Sequence, residues 1–409
     1  MIPVSGWETH DGPRYHRSIH PPAPDAGAAM PTAATESQAD VTSAGAINPR
    51  YANSESYSSS VWRRFRRSIM GMIGMISVVL LLLVAVFADF FAPHDPKQTN
   101  IGFAPPDTIS FFHADGSFTP LPVVYPISEG EELDPITFQP IVGPDYDNPT
   151  ELGFFVPGYA YHILWVIPAN IHFFGPTDPA KTFHLLGTDK FGRDILSRGI
   201  VGSRISLTIA PVVTLLTTVV GTLVGITSGY LGGRFDRWTQ KFVEFVLAFP
   251  QLPLYLALTS LIPITAPSNV FIAFVIGVMA VLGWAQLSRE VRSKTLSLAR
   301  IEYVRAAIAV GSSDGRIITR HILPNVMSHI IVAVTLSVPS VVLLESFLGF
   351  PGFAVKPPLI SRGLMLQDTG SFSVIGSYPR ILSPVIFVLI TVFAFNALGD
   401  GLRDAIDPY

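Results

Sequence analysis

The 409-residue chain contains no cysteine, so it offers no disulfide framework, thiol nucleophile or zinc–thiolate site. Charge is scarce too. Asp, Glu, Lys and Arg make up 14% of the residues, against about 25% in a soluble domain. With a mean hydropathy of +0.44, that points to lipid rather than water. No basic run carries the interleaved aromatics of a nucleic-acid reader, and the net charge of −3 adds no such signal. No lysine follows a glycine, which excludes a GxxxxGK[ST] phosphate loop, and no histidines stand in an HExxH pair. Neither an enzymatic site nor a cofactor site is expected.

Long apolar runs are what the chain does have. A spanning helix needs about 20 largely uncharged residues. Six stretches qualify, at 68–92, 204–229, 240–262, 268–287, 326–346 and 381–399, with a short polar hinge (GYLGGRFDRWTQK) between the second and third. Lys and Arg concentrate on one side of these stretches. Arg63, Arg64, Arg66 and Arg67 precede the first, and Arg234, Arg237 and Lys241 lie between the second and third. Arg289, Arg292, Lys294, Arg300, Arg305, Arg316 and Arg320 lie between the fourth and fifth. Both termini are therefore expected in the cytoplasm. The expectation is an all-α membrane protein of six spans, with an external, partly β insertion between spans one and two.

The expected domains follow. Residues 1–61, rich in Ala, Ser, Pro and Thr, read as a disordered cytoplasmic segment without a cleavable signal peptide, a short docking tail being the runner-up. Residues 62–92 form the first spanning helix, 93–203 the external insertion and 204–409 a five-helix core. The insertion's apolar AYHILWVIP is too short to cross a bilayer. His162, His172 and His184 have unrelated spacing, which favours structural roles over a metal site. Gly221, Gly225 and Gly229 follow small-xxx-small spacing, for helix packing or for a face near a pathway. Trp284 and Phe249–Pro250 either pack or line that pathway.

Mid-span carboxylates and histidines, which an ion-coupled carrier needs, are almost absent. Asp89, Glu244 and Glu345 lie near span ends and read as packing or capping residues. A transport chain with neither an ion site nor an ATP site implies a separate motor.

The stretch EYVRAAIAVGSSDGRIITRHILPN (302–325), between two apolar runs, reads as helix, glycine break, helix, proline. Leu298, Ile301, Ala307 and Ile308 give an apolar face. Gly311 ends the first helix, Ser312, Ser313 and Asp314 offer caps for the second, and Pro324 stops it before span five. An amphipathic loop lying on the membrane surface fits these features equally well.

The spacing Ala306-Ala307, Gly311, Leu323-Pro324 resembles the cytoplasmic signature loop of ABC-importer permeases, and HILPN (321–325) resembles the dipeptide/oligopeptide/nickel branch. LLGTDKFGRDILSR (185–198), AFPQLPLYLAL (248–258) and FNALGDGLRDAIDP (395–408) resemble the same branch, so the likeness covers about 62–92 and 183–409. It implies that residues 296–325 form coupling helices docking on an ATPase. Glu302, Arg305, Ala306, Ala307, Gly311, His321, Leu323 and Pro324 would carry that coupling. The implied partners are a second permease chain, cytoplasmic ATP-binding subunits, an external solute-binding protein and the bilayer of a bacterial inner membrane. The implied function is passage of peptides or a related small solute. An ion-coupled carrier or channel, and a non-transporting receptor or scaffold, are the alternatives. The chain departs from the pattern at Arg305 (usually acidic), Pro351 (leucine), and Arg362 and Arg380 (tryptophan). Arg362, read as snorkelling near an interface, is expected to give better transport or assembly when changed to Trp. In LLGTDKFGRDILSR, Thr188 or Asp189 is the expected helix cap.

Overall fold

The computed structural model describes residues 57–406, apart from 113–115, 134, 136–139, 165, 264 and 354. The expectation for residues 1–61 lies outside these except at 57–61, which open helix α1 (Tyr57–Phe65). The first span is shorter than its apolar run. Ser68 is extended and accepts a hydrogen bond from Gly71 N at 3.1 Å, which starts α2 (Ile69–Val86) afresh. A one-turn α3 (Ala88–Phe91) follows.

The described residues between 108 and 176 form six antiparallel strands. β1 (Thr108–Phe112), β2 (Phe118–Tyr125), β5 (Thr150–Ile163) and β6 (Ile167–Pro176) form one sheet in the order β1-β2-β5-β6. β3 (Ile127–Leu133) and β4 (Pro140–Pro144) form a separate hairpin. Val124, Leu152 and Phe183 make a small core under the sheet.

Among the described residues, five helices are long and apolar enough to cross a membrane. They are α2, α4 (Ile195–Leu231), α7 (Ser268–Leu298), the helix ending in α10 (Leu323–Gly349), and the one containing α13 (Pro384–Ile406). The expected third span is not one rod. It is α5 (Gly233–Ala248) and α6 (Gln251–Thr259), bent by 79°. Pro250 explains the break, because a proline disfavours helical backbone in the residue before it, and Phe249 is extended.

Small residues set the helix packing. Gly225 on α4 is so close to α7 that a Cβ would fall 2.6 Å from the Ser288 carbonyl oxygen, and Gly221 and Gly229 repeat the approach. That row is a packing face. Gly74 on α2 likewise abuts α13, where a Cβ would lie 2.2 Å from Leu398 N. Trp284 is buried and stacks on Phe242, whereas Phe249 is exposed. α4 starts nine residues before the expected 204 and, at 37 residues, is about 55 Å long. The sheet stands at its N-terminal end and the 299–322 loop at its C-terminal end.

Candidate coupling surface

The loop end is built on an apolar footing. Val304, Ile317, Ile322, Val326 and Ile330 are buried against Ile226 of α4 and Val291 of α7, with Leu298, Ala307 and Leu323 half-buried at the edge. Helix α8 (Glu302–Ala309) thus turns Val304 and Ala307 inward. Ile301 and Ile308, expected on the inner face, are exposed instead, as is Val310 at 82%.

Gly311 ends α8 by a two-bond cap. Its N–H donates to the Ile308 carbonyl at 2.9 Å, and Ser312 N donates to the Ala307 carbonyl at 3.1 Å. This is the Schellman arrangement, which needs left-handed backbone, and Gly311 has φ +80°. Ser313 is the extended residue before the one-turn α9 (Asp314–Ile317). Tyr230 Oη, at the end of α4, donates to Asp314 Oδ1 at 2.8 Å and ties the loop down.

Pro324 does not stop a helix. The backbone is helical from Asp314 to Gly349, through a π-helical turn at Ile318–Ile322. Leu323 N bonds five residues back to the Ile318 carbonyl. The wider turn accommodates a ring that would otherwise clash with the carbonyl four residues before it.

The eight residues singled out by sequence fall on two sides. Glu302, Arg305, Ala306, Gly311 and Pro324 are exposed, while Ala307, His321 and Leu323 are half-buried. The two alanines therefore do not share one contact. Ala307 packs on the footing and Ala306 faces out. His321 sits 6.0 Å from the Tyr303 ring, a packing position. Neither Glu302 nor Arg305 forms an ion pair among the described residues. No GxSxG elbow is expected from the sequence, yet the letters Gly311–Gly315 spell GxSxG. They join helix to helix rather than strand to helix, and Ser313 is exposed, so no nucleophile elbow forms.

The sheet end of the bundle is polar inside. Asp194, not Thr188 or Asp189, caps α4, accepting from Ser197 N at 2.7 Å. Asp189 instead closes a loop, its Oδ1 accepting from Phe191 N and Arg193 N, with Gly192 at φ +74° barring an earlier helix start. His184 Nδ1 lies 3.1 Å from Asp194 Oδ1 and His184 Nε2 2.9 Å from Asn100 Nδ2. His94 Nε2 accepts from Phe183 N, and burial holds its pKa down at about 4. Asp107 accepts from His184 N and Ile127 N, yet burial pushes its carboxyl up. His172 is fully buried near Asp89 and His162 is exposed. Among the described residues no three metal-ligating side chains meet.

Arg362 does not snorkel. It is 2% exposed, on the one-turn α11 (Arg362–Met365). Its guanidinium donates to Thr391 Oγ1 and its backbone N donates to Ser206 Oγ. Ser206 Oγ in turn donates to Glu345 Oε2 at 3.0 Å. Glu345 is fully buried, and Ser206 bridges it to the Arg362 backbone. This inner carboxylate and guanidinium, legible in sequence only as departures near span ends, are held together by α4, α10, α11 and α13. Arg362→Trp would keep the backbone link to Ser206 but remove a buried guanidinium and its bond to Thr391, so a loss rather than a gain is predicted. Arg380 donates to the Phe103 carbonyl at 2.5 Å beside stacked Phe103 and Tyr378, and Asp89 pairs with Arg204 at 2.7 Å.

Comparison with known proteins adds the following. Residues 221–409 match the family described as binding-protein-dependent transport system inner membrane component. Residues 56–106 match the N-terminal TM domain of oligopeptide transport permease C. The oligopeptide transport system permease protein OppC of Haemophilus influenzae is 38% identical over 226 residues, 55% of this chain and 70% of that one. The Escherichia coli K12 OppC is 41% identical over 225 residues, 55% and 72% of the two chains. The dipeptide transport system permease protein DppC of Bacillus subtilis is 36% identical over 230 residues, 56% and 70%.

Proposed function

The chain belongs to the family of binding-protein-dependent transport system inner membrane components, and we propose that it is the permease subunit through which an ABC importer passes peptides. The bent α5–α6 pair counts as the third of six spans, so both termini lie in the cytoplasm, the side rich in Lys and Arg. The sheet then stands outside, in reach of a solute-binding protein. The loop at 299–322 stands inside, in reach of a separate ATPase. A second, homologous permease chain completes the pathway.

The observation that carries this reading is the two-sided build of α8. Its inner side is seated on α4, α7 and α10, and its outer side offers Ala306, Ile308 and Val310. A short helix is marginal in water unless a face packs on something. Seated this way, α8 passes a push from the motor to three long helices at once. Alternating access follows when ATP binding shifts the loop and hydrolysis returns it. Gly311 and the π-helical turn set the loop's shape, while Glu302, Arg305 and Ala306 lie on the face toward the motor.

Purification of the tagged chain in mild detergent from its own cells, beside Gly311→Val and Gly311→Asn variants, tests this. An ATP-binding subunit recovered with wild type and with Asn, but reduced with Val, is the expected result. A well-inserted wild-type chain that brings down no ATP-binding subunit sinks the proposal.

A further inference from the structure

The tip of the β5–β6 hairpin is built unlike an aqueous hairpin tip, where turn residues and charges are the rule. Residues 152–177 contain no Asp, Glu, Lys or Arg, although Glu151 and Asp178 flank them directly. Around the turn, Leu164 is 52% exposed, Val166 77% and Ile167 58%, with Ile171 also exposed. A contiguous exposed apolar patch marks an interaction site rather than ordinary surface.

The root of the hairpin is fixed to the outer end of the first span. His172 Nδ1 lies 2.8 Å from the Asp89 carbonyl oxygen, and Phe90 and Phe91 pack on Phe173. Tyr159 Oη is 3.4 Å from the same carbonyl. From there the tip reaches back over the span. Leu164 and Tyr161 line a cavity of about 800 Å³ together with Leu82, Val86 and Leu207. Leu82 precedes Asp89 by seven residues, or about 10 Å along a helix. Leu82 and Val86 belong to the exposed apolar face of α2, which in a spanning helix is the face that meets lipid. Leu164 therefore lies beside the hydrocarbon-facing surface of a span. Arg204, Lys97 and Asp95 stand in the lining of the same cavity with Tyr159 and Tyr161, the mix of charge and tyrosine found at headgroup depth.

We propose that Leu164, Val166 and Ile167, at the end of the β5–β6 hairpin, enter the outer leaflet of the bilayer, and that lipid fills the cavity they share with the first two spans. The occupant is phospholipid, its acyl chain against Leu82, Val86, Leu164 and Leu207 and its headgroup toward Lys97 and Arg204 of the same lining. The hairpin is then a monotopic anchor that sets the height and tilt of the external sheet over the pathway.

The chain has no cysteine, so a single introduced one labels uniquely. Full-length Val166→Cys, carrying a nitroxide and reconstituted in phosphatidylcholine–phosphatidylglycerol vesicles, is compared with Ile141→Cys, on the exposed β3–β4 hairpin beside Glu129 and Asp145. The expected result is a label at 166 that oxygen reaches several-fold better than a water-soluble nickel chelate does, with the reverse at 141. Equal nickel access at both positions overturns the proposal. Protection of 166 from both reagents overturns it too, since that is the signature of burial against protein. Leu164→Cys repeats the test should a label at 166 disturb folding.

Discussion

The two ends of the bundle hold themselves together by opposite means. At the sheet end, charges and histidines are buried and each depends on a partner from another segment. Arg362 and Glu345 are joined through Ser206, His94 lies against Phe183, and Asp107 against His184. At the loop end the interior is apolar, and the polar ties are few and partly open to solvent, chiefly Tyr230 to Asp314 and Arg292 to Asp236. Losing a partner from a buried charge costs far more than losing a surface tie. The sheet end should therefore respond to single changes as a locked structure. The loop end should tolerate them and show the effect in docking.

Substitutions at Arg362, His94, Gly311 and Tyr230 bear on that contrast, from the largest expected effect down. Arg362→Trp should destabilise the chain by about 2–4 kcal/mol, because it replaces a buried guanidinium, bonded to Thr391 and close to buried Glu345, with an indole. Thermal unfolding in detergent reads this, and adding Glu345→Gln should recover part of the loss. Second, His94 gives the sheet end a pH dependence. Its folded pKa is depressed from 6.5 to about 4, so its contribution is complete above 6.5 and is lost as pH falls toward 4. The loss amounts to at most about 3 kcal/mol. Asp107, shifted upward, opposes this, so the informative quantity is the difference between wild type and His94→Gln, which should flatten the slope across that window.

The loop end comes next. A Cβ at Gly311 meets nothing within 4 Å, so the cost of a substitution there is backbone strain alone. Gly311→Val should lose about 1–2 kcal/mol, and Gly311→Asn clearly less, measured by the same unfolding assay. Smallest is Tyr230→Phe, which removes one part-exposed hydrogen bond worth about 1 kcal/mol. It should leave unfolding nearly unchanged while loosening the loop, seen as faster amide exchange at 311–317.

Much of the bundle was legible because lipid imposes a simple rule, about 20 apolar residues for each span. Among the described residues five such helices cover the stretches hydropathy picks out, but several overrun them, α4 starting at 195 and α7 running to 298. The bend at Phe249–Pro250 was written in the proline but hidden inside a continuous apolar run. The coupling loop was legible as spacing, and Gly311 was read for the physical reason it serves. What periodicity misassigned was the face. Ile301 and Ile308 are apolar, but α8 is seated through Val304 and Ala307, a choice made by α4 and α7 rather than by α8 itself. Pro324 misled for a similar reason, since a π-helical turn upstream absorbs it. The Arg362–Glu345 site was invisible as a pair. Its partners come from four segments between residues 206 and 391, and no local pattern links them. The six strands were foreseen only as partly β structure, and their register depends on long-range pairing.

The claim at the centre of this account is that the outer face of α8 meets an ATP-binding subunit. A photo-crosslinking residue at Val310, in the chain expressed in its own cells, tests it against the same residue at Phe372, which is 93% exposed between α11 and the last span. The account predicts an adduct with an ATP-binding subunit from position 310 and none from 372. A chain correctly inserted yet giving no such adduct from 310, or giving it equally from 372, would contradict it.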